Sequence, residues 1–282
     1  MPLEAVKKII GQKLCVHSIE IFRSGSVIFS RSFHDDKRYP VYSCAKSFTS
    51  AAFSIAAGEG LISPDIPLSE FIESRYRSLM SGDFRELPVR RFLTMTAGNY
   101  PFRPEGSDWL ENILTLPVDN TDTGYHYSNI PAYLVGVAVE NAVGGDLIGY
   151  LTSRLFEPLG IKDPVYAKCP QGHFYGATGM ELTVTELRRL GQLYMQNGAF
   201  AGEQLIAPER INESLTPWVK TGDNDSYGYF FRVSENGFSI CGKWGQRCLV
   251  YPEKQLIITY LSDLPDRHSE MLAIAQELAG RL

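Results

Sequence analysis

The sequence predicts an α/β (α+β) fold: one antiparallel sheet flanked by terminal helices, with a helical lobe inserted into the middle of the chain. Strand-like segments lie near both ends, and helix-like periodicity dominates between them. With 282 residues and 44% hydrophobic composition, the chain has enough apolar material for one large core. We therefore expect a single domain over residues 1–282, with residues 1–42 and 175–282 in a mixed helix–sheet lobe and residues 43–174 in a mainly helical lobe.

The elements of the first half follow from local patterns. The first residues, MPLEAVKKIIGQ, have the spacing of an amphipathic helix, and residues 14–23 and 27–33 are strand-like on either side of the turn Ser-Gly-Ser, which predicts a hairpin. Helix signals then begin at Ser43 and recur over residues 89–97, 107–116, 130–143 and 146–156.

The second half returns to strands. A Thr-x-x-Glu capping pattern at Thr183 starts one more helix. Strand character follows in YGYFFRVS (227–234), FSICGKWG (238–245), RCLVYP (247–252) and QLIITYLSD (255–263), and an amphipathic helix over residues 267–281 closes the chain. Strands at both ends predict a sheet in which the two termini meet.

Composition argues against several classes of function. The net charge is −5 and no run of lysine and arginine occurs, so nucleic acid is not an expected partner. Five scattered cysteines without CxxC spacing indicate free thiols and no structural zinc. No window of ~18 uncharged apolar residues predicts a membrane span, and the first residues do not have the pattern of a signal peptide. We therefore expect a cytoplasmic protein.

The stretch VYSCAKSFTS places Ser43 three residues before Lys46, where a run of small and apolar residues begins. Residues three apart on a helix share a face, so the hydroxyl and the ammonium can meet. Serine is a weak nucleophile that needs a base within hydrogen-bond reach. The same pattern also fits a helix-capping serine, because Ser-x-x-Lys occurs by chance in a chain of this length.

Two further motifs accompany this pair. Tyr127-Ser128-Asn129 comes directly before the helix predicted at residues 130–143, and Lys243-Trp244-Gly245 falls inside the strand predicted at residues 238–245. Taken alone, Tyr127 also fits a packing aromatic, Asn129 a helix cap and Lys243 a solvated strand residue.

The order and spacing of the three motifs resemble the serine β-lactamase and penicillin-binding-protein superfamily. The Tyr-x-Asn form is similar to the branch of class C β-lactamases, D-alanyl-D-alanine carboxypeptidases, family VIII esterases and 6-aminohexanoate-dimer hydrolases. Connecting phrases such as RFLTMTAG, LFEPLGIKD and ELTVTELRRLGQLYMQNG extend the resemblance over residues 14–263. It implies the β-lactamase-like fold and a serine hydrolase that works through an acyl-enzyme, with no metal and no organic cofactor.

The resemblance also implies roles for single residues. Ser43 would attack the substrate carbonyl, while Lys46 would hydrogen-bond Ser43 and Tyr127. Tyr127 would relay the proton, either as a phenolate favoured by Lys46 and Lys243 or within a shared proton network. Asn129 would orient Lys46 or hold a substrate amide. The backbone amides of Ser43 and Gln246, the residue after Gly245, would bind the oxyanion.

Trp244 departs from the family pattern, which has threonine between the lysine and the glycine. The indole has only one N–H donor and cannot take the role of the threonine hydroxyl, which helps hold a substrate carboxylate. This favours a neutral ester or amide with an apolar part, although Lys243 and Arg247 remain candidates for binding a carboxylate. A register one residue away, as in the Trp-Gly-Gly of some family VIII esterases, is an alternative.

The sequence also bears on other classes of hydrolase. The chain has histidines for a Ser-His-Asp triad, and His126 lies next to Tyr127, but no Gly-x-Ser-x-Gly elbow occurs. It has no HExxH motif for metal-dependent hydrolysis. Within the resembling family, the alternatives are a D-alanyl-D-alanine carboxypeptidase, a penicillin-binding protein, or a sensor-like protein that acylates without fast turnover. The expected partner in each case is a small-molecule ester, amide or peptide.

Overall fold

The computed structural model describes residues 2–35, 37–222 and 225–282. It confirms the predicted fold class, because helices surround one antiparallel sheet. The strands are β1 (Val16–Arg23), β2 (Ser26–Ser32), β3 (Tyr39–Pro40), β4 (Glu181–Leu182), β5 (Ala199–Phe200), β6 (Glu203–Gln204), β7 (Val219–Lys220), β8 (Ser226–Tyr227), β9 (Arg232–Ser234), β10 (Gly237–Gly242), β11 (Gln246–Tyr251) and β12 (Leu256–Ser262).

Helices occupy both ends and most of the middle of the chain. They are α1 (Pro2–Gly11), α2 (Ala45–Gly58), α3 (Gly82–Glu86), α4 (Val89–Leu93), α5 (Trp109–Leu114), α6 (Ile130–Val143), α7 (Leu147–Leu151), α8 (Val184–Met195), α9 (Pro208–Leu215) and α10 (His268–Arg281). A π-helical turn, Thr152–Phe156, follows α7. At α8 the predicted capping box is present, since the Thr183 hydroxyl accepts from the Glu186 amide and the Glu186 carboxylate accepts from the Thr183 amide.

The main sheet has eight strands in the order β2-β1-β12-β11-β10-β9-β8-β7. The predicted hairpin of β1 and β2 is confirmed, and β1 pairs with β12, with Ile19 opposite Tyr260. The two ends of the chain therefore meet within one sheet, as its second and third strands. Side chains on one face pack with α1 and α10, while the other face joins the larger core that contains α2, α6 and α8.

Helices α2 and α6 pack against each other within the larger core. Residues 45–56 of α2 and residues 130–139 of α6 are buried. Within the described residues, no single helix is long and apolar enough to cross a membrane, although Ile130–Val143 and Leu147–Phe156 together meet the length and composition criteria as a pair bent by 77°.

Two predicted strands are shorter than the sequence pattern suggested. The segment predicted over residues 227–234 is interrupted between β8 and β9, where Phe230 has a left-handed backbone (φ 61°) and the Tyr229 amide donates to the Ser214 carbonyl. The segment predicted over residues 238–245 ends at Gly242, and Lys243–Gly245 form a 3-10 turn into β11. In both places, contacts with the rest of the fold override local strand propensity.

Candidate active site

Ser43 lies on a short 3-10 turn, Tyr42–Cys44, directly before α2, so the regular helix starts two residues after the predicted position. The segment before this turn is held by the pairing of β3 with β4 and by the Val41 amide, which donates to the Met180 carbonyl over 2.9 Å. Tyr42 has a left-handed backbone (φ 49°), an uncommon conformation for a residue with a side chain. The candidate nucleophile is therefore presented at a constrained turn.

Lys46 is buried, with 1% of its surface exposed. Its ammonium donates to the Asn129 Oδ1 atom at 2.6 Å and the Ala177 carbonyl at 2.9 Å, and it lies 3.2 Å from Ser43 Oγ. These three described partners are uncharged. Burial disfavours the cation and lowers the pKa of Lys46 from 10.5 to about 7.

Tyr127 reaches the same centre from the segment before α6. Its phenol lies near the Ser43 side chain, and its ring centroid lies 4.9 Å from the Lys46 ammonium. Although 36% of the residue is exposed, the phenol lies deep enough among its neighbours that burial raises the pKa of Tyr127 to about 12, while the neighbouring Ser43 hydroxyl acts in the opposite direction. The raised pKa favours the neutral phenol of a shared proton network over the phenolate, the other alternative that the sequence left open.

Asn129 is buried and its side-chain amide has two partners. The oxygen accepts from Lys46, and the nitrogen donates to the Tyr175 hydroxyl at 3.1 Å. Its side chain does not cap α6; instead, the Ser128 hydroxyl accepts from the Ile130 amide. The Asn129 side chain is therefore a hydrogen-bond partner of Lys46 and not a helix cap.

The third motif lies on the turn between β10 and β11. Lys243 is exposed and its ammonium lies over the Trp244 ring, 4.7 Å from the centroid. Trp244 has a left-handed backbone (φ 60°), and its ring meets the Tyr42 ring edge to face at 5.1 Å between centroids. Arg232 is a cation that acts to lower the pKa of Tyr127. The contribution of Lys243 to the ionisation of Tyr127 stays a prediction.

Gly245 and Gln246 complete this turn. Gly245 is buried with φ 88°. The Gln246 side chain is held by the Ser262 backbone, accepting from the Ser262 amide at 3.1 Å and donating to the Ser262 carbonyl at 2.5 Å. Both polar groups of the Gln246 side chain are therefore hydrogen-bonded within the sheet. The backbone of Gln246 remains the candidate for substrate binding.

Gly242 brings this turn against the segment that carries Ser43. A Cβ atom at Gly242 would lie 2.2 Å from the Val41 carbonyl oxygen and 3.1 Å from Cys44 Sγ. Because Gly242 also pairs with Gln246 at the end of the β10–β11 ladder, the absence of a side chain lets the two backbone segments approach closely.

Several neighbours of the site were not predicted from the sequence. They are the Ala177 carbonyl, Tyr175, Arg232, and an aromatic cluster in which the rings of Tyr125 and Tyr227 lie 6.4 and 6.3 Å from that of Tyr127. The alternating tyrosines of the phrase YHY (125–127) were the one sequence signal for part of this cluster.

The described contacts do not support a Ser-His-Asp arrangement at Ser43. His126 pairs with the Asp122 carboxylate at 2.8 Å, and His173 pairs with Glu140 at 2.7 Å. Among the described residues, the Ser43 hydroxyl accepts from Lys46 at 3.2 Å, and the Tyr127 phenol lies nearby. The arrangement thus offers an amine and a phenol to the hydroxyl.

Comparisons with known proteins identify the family and the fold. The model of the beta-lactamase family matches residues 18–280. Similar solved structures include a penicillin-binding protein from Bacillus halodurans, with TM-score 0.77, 18% identity and coverage of 97% of this chain and 98% of that one. A beta-lactamase/D-alanine carboxypeptidase from Pseudomonas syringae gives TM-score 0.79 and 14% identity, with coverage of 99% and 97%.

A beta-lactamase from Mycobacterium bovis gives TM-score 0.73 and 16% identity, with coverage of 98% of both chains. No curated protein gives a significant match. The family match covers most of the chain and confirms both the predicted fold and the serine hydrolase class. The chain belongs to the beta-lactamase family.

Proposed function

We propose that the chain hydrolyses a neutral ester or amide through an acyl-enzyme on Ser43, with Lys46 as the base that activates the hydroxyl. The observation that carries this proposal is the placement of a buried lysine with a pKa of about 7 at 3.2 Å from Ser43 Oγ. Perturbed pKa values of this kind are typical of catalytic acids and bases. At neutral pH a large fraction of the amine is uncharged and can accept a proton.

The hydrogen bonds of Lys46 also orient its lone pair. A neutral amine has two N–H bonds, and the Asn129 and Ala177 oxygens can only accept them. With both N–H bonds directed there, the lone pair is left for the Ser43 hydroxyl. The Ser43 proton passes to Lys46 as the oxygen attacks the substrate carbonyl, and from there to the leaving group as the acyl-enzyme forms. In the second half of the reaction, neutral Lys46 accepts a proton from the attacking water and donates it to Ser43 Oγ as the acyl bond breaks.

Tyr127 has the properties of a proton carrier in its neutral form. Its phenol lies near Ser43, and a pKa of about 12 keeps it protonated. We assign it the transfer of a proton from the Lys46–Ser43 pair to the leaving group, within the shared network that the sequence suggested as one alternative. Loss of such a group costs at least ~100-fold in rate, which is the expected effect of Tyr127→Phe.

The oxyanion is assigned to the backbone amides of Ser43 and Gln246. Support comes from the close approach at Gly242, which sets the turn before α2 beside the start of β11. Each such donor contributes ~3 kcal/mol to transition-state stabilisation. Backbone donors suit this role because they need no side-chain reorganisation when charge develops.

The walls of the site favour an apolar substrate part. Tyr42 and Trp244 form one aromatic pair, and Tyr125 and Tyr227 surround Tyr127. Lys243 is stacked on Trp244, and the Arg247 guanidinium donates to Cys241 Sγ. Both cations named for carboxylate binding thus have partners within the protein, which supports a neutral ester or amide over a carboxylate-terminated peptide.

The experiment is intact-mass measurement after incubation with a fluorophosphonate, combined with turnover of p-nitrophenyl esters. We expect one adduct on Ser43, ester turnover, and loss of both in Ser43→Ala with an unchanged melting temperature. A Ser43→Ala enzyme within a few-fold of the parent activity would contradict the assignment. A persistent acyl adduct without turnover would instead identify the sensor-like alternative. Short acyl esters, nitrocefin and D-Ala-D-Ala peptides, compared as substrates, separate the remaining classes.

A further inference from the structure

We infer that Cys15, His17 and His34 form a site for a zinc-type divalent transition metal, separate from Ser43 and independent of the proposed hydrolysis. One ligand atom from each of the three side chains lies within 4.8 Å of the other two. A thiol and two imidazoles are the donors that Zn²⁺ and Co²⁺ prefer, whereas Mg²⁺ and Ca²⁺ prefer oxygen. The sulfur and nitrogen donors of the three side chains therefore favour a zinc-type transition metal over Mg²⁺ and Ca²⁺.

The backbone of the β1–β2 hairpin builds this cluster. Cys15 directly precedes β1, and His17 lies at an irregularity of the β1–β12 ladder between Val16 and Ser18. Pairing of Ser18 with Ser32 and a hydrogen bond from the Phe33 amide to the His17 carbonyl, 2.8 Å long, bring His34 beside them. The separation of His34 from the other two in sequence explains why no ligand spacing was recognised there.

The other side of the cluster is held by β12. The Asp263 amide donates to the Cys15 carbonyl at 2.8 Å, directly after the pairing of Val16 with Ser262. The three side chains therefore sit on hydrogen-bonded backbone and not on a free terminus. A framework of this kind restricts the movement needed to gather ligands around an ion.

The His17 ring is held in place and has a nitrogen to offer. It stacks on Tyr39 with 3.9 Å between centroids and 5° between planes, and the His34 ring meets it edge to face at 5.5 Å. Among the described residues, buried His17 Nδ1 has no hydrogen-bond partner. A buried polar atom of this kind normally has one, and a metal ion or a bound water would supply it.

Closure of the site needs only modest movement. Tetrahedral coordination at zinc puts neighbouring ligand atoms about 3.4–3.6 Å apart, so the cluster must contract by roughly 1 Å. Cys15 and His34 are exposed, which leaves their side chains room to rotate and gives the ion an entry path. On binding, the Cys15 thiol releases its proton to solvent and coordinates as the thiolate. Water completes the fourth position.

The test is a Co²⁺ titration of the untagged, reduced, metal-free full chain. We expect a thiolate-to-cobalt charge-transfer band that saturates at one equivalent and disappears when Zn²⁺ is added. Cys15→Ser should abolish the band, and His34→Ala should weaken Co²⁺ binding at least ~100-fold, the upper range for loss of supporting groups around a metal. Cys241→Ser and His268→Ala, which lie outside the cluster, serve as matched controls and should keep the band.

A second measurement guards against a folding defect in the variants. Zn²⁺ should raise the melting temperature of the parent chain and of His268→Ala, and leave that of Cys15→Ser unchanged. Absence of the band at stoichiometric Co²⁺, or its survival in Cys15→Ser, would overturn the inference. Loss of the band in Cys241→Ser, to the same extent as in Cys15→Ser, would also overturn the inference. None of these outcomes depends on ester hydrolysis, so the proposed function is tested separately.

Discussion

The Lys46 ammonium donates to Asn129 Oδ1 across 2.6 Å, joining the start of α2 to the start of α6. The Tyr175 hydroxyl accepts from Asn129 Nδ2, which orients the amide so that its oxygen faces Lys46. A neutral oxygen satisfies the buried amine without adding the opposite charge that would hold it in the cationic form. This neutral partner leaves the pKa of Lys46 free to fall to about 7.

The first prediction concerns Asn129→Asp. If Lys46 is the base, kcat/KM should rise as the pH increases through about 7, where Lys46 loses its proton. A carboxylate at position 129 favours protonated Lys46 and should move this midpoint to higher pH by about one unit or more. The measurement is the pH profile of kcat/KM with a p-nitrophenyl ester. Asn141→Asp, also in α6 but bonded to the Phe71 carbonyl, is the control; an unmoved midpoint in Asn129→Asp would argue against Lys46 as the base.

The second prediction links the same residue to stability. The pKa of Lys46 falls from 10.5 to about 7 on folding, so the unfolded chain binds the extra proton between these values. Folding stability should therefore rise with pH across this window, by a few kcal/mol in total, as the penalty for burying the cation disappears. Urea unfolding of the parent and of Lys46→Met at neutral and alkaline pH isolates this contribution. The parent should gain stability relative to Lys46→Met as the pH increases, and a gain in the opposite direction would be inconsistent with the lowered pKa.

The third prediction concerns Gly242→Ala. The added methyl group would meet the Val41 carbonyl oxygen at 2.2 Å, so β10 must move away from the turn that carries Ser43. We expect a loss of roughly 1–3 kcal/mol in the free energy of unfolding and a fall in kcat as the oxyanion donors separate. Gly280→Ala is the matched control, because a Cβ atom added at Gly280 in α10 would meet no atom within 4 Å. This variant should be neutral or slightly stabilising. Equal behaviour of the two variants in urea unfolding and ester turnover would show that the close approach is unimportant.

The fourth prediction concerns the left-handed backbone at Trp244, with φ 60° and ψ 25°. Restoring the family threonine here should destabilise the chain, because a β-branched residue fits this conformation poorly, while glycine adopts it freely. Trp244→Thr should unfold at lower urea than Trp244→Gly, with a difference of about 1–3 kcal/mol. Since both variants lack the indole, the comparison cancels the loss of its contact with Tyr42. A Trp244→Thr variant as stable as Trp244→Gly would refute the backbone argument.

The order of three motifs and their resemblance to a known family predicted the class of the protein and the four side chains of its candidate site. Ser43 and Lys46 are one helical turn apart, and Tyr127 and Asn129 lie together before α6, so the two pairs, taken together with the third motif, could be matched to the family without knowing the fold. The hairpin of β1 and β2 and the meeting of both chain ends in one sheet followed from strand propensity at the termini. Short-range periodicity carries this information because backbone geometry repeats over a few residues.

Tertiary contacts decided the properties that depend on surroundings. The Ala177 carbonyl, Tyr175 and Arg232 reach the site from distant parts of the chain. Burial lowers the pKa of Lys46 and raises the pKa of Tyr127. The pattern that predicted a continuous strand through Lys243 was overridden where Gly242 meets the turn before α2. Burial and long-range approach arise only when separate segments pack together, so a residue's charge state at this site is a property of the fold and not of its neighbours in sequence.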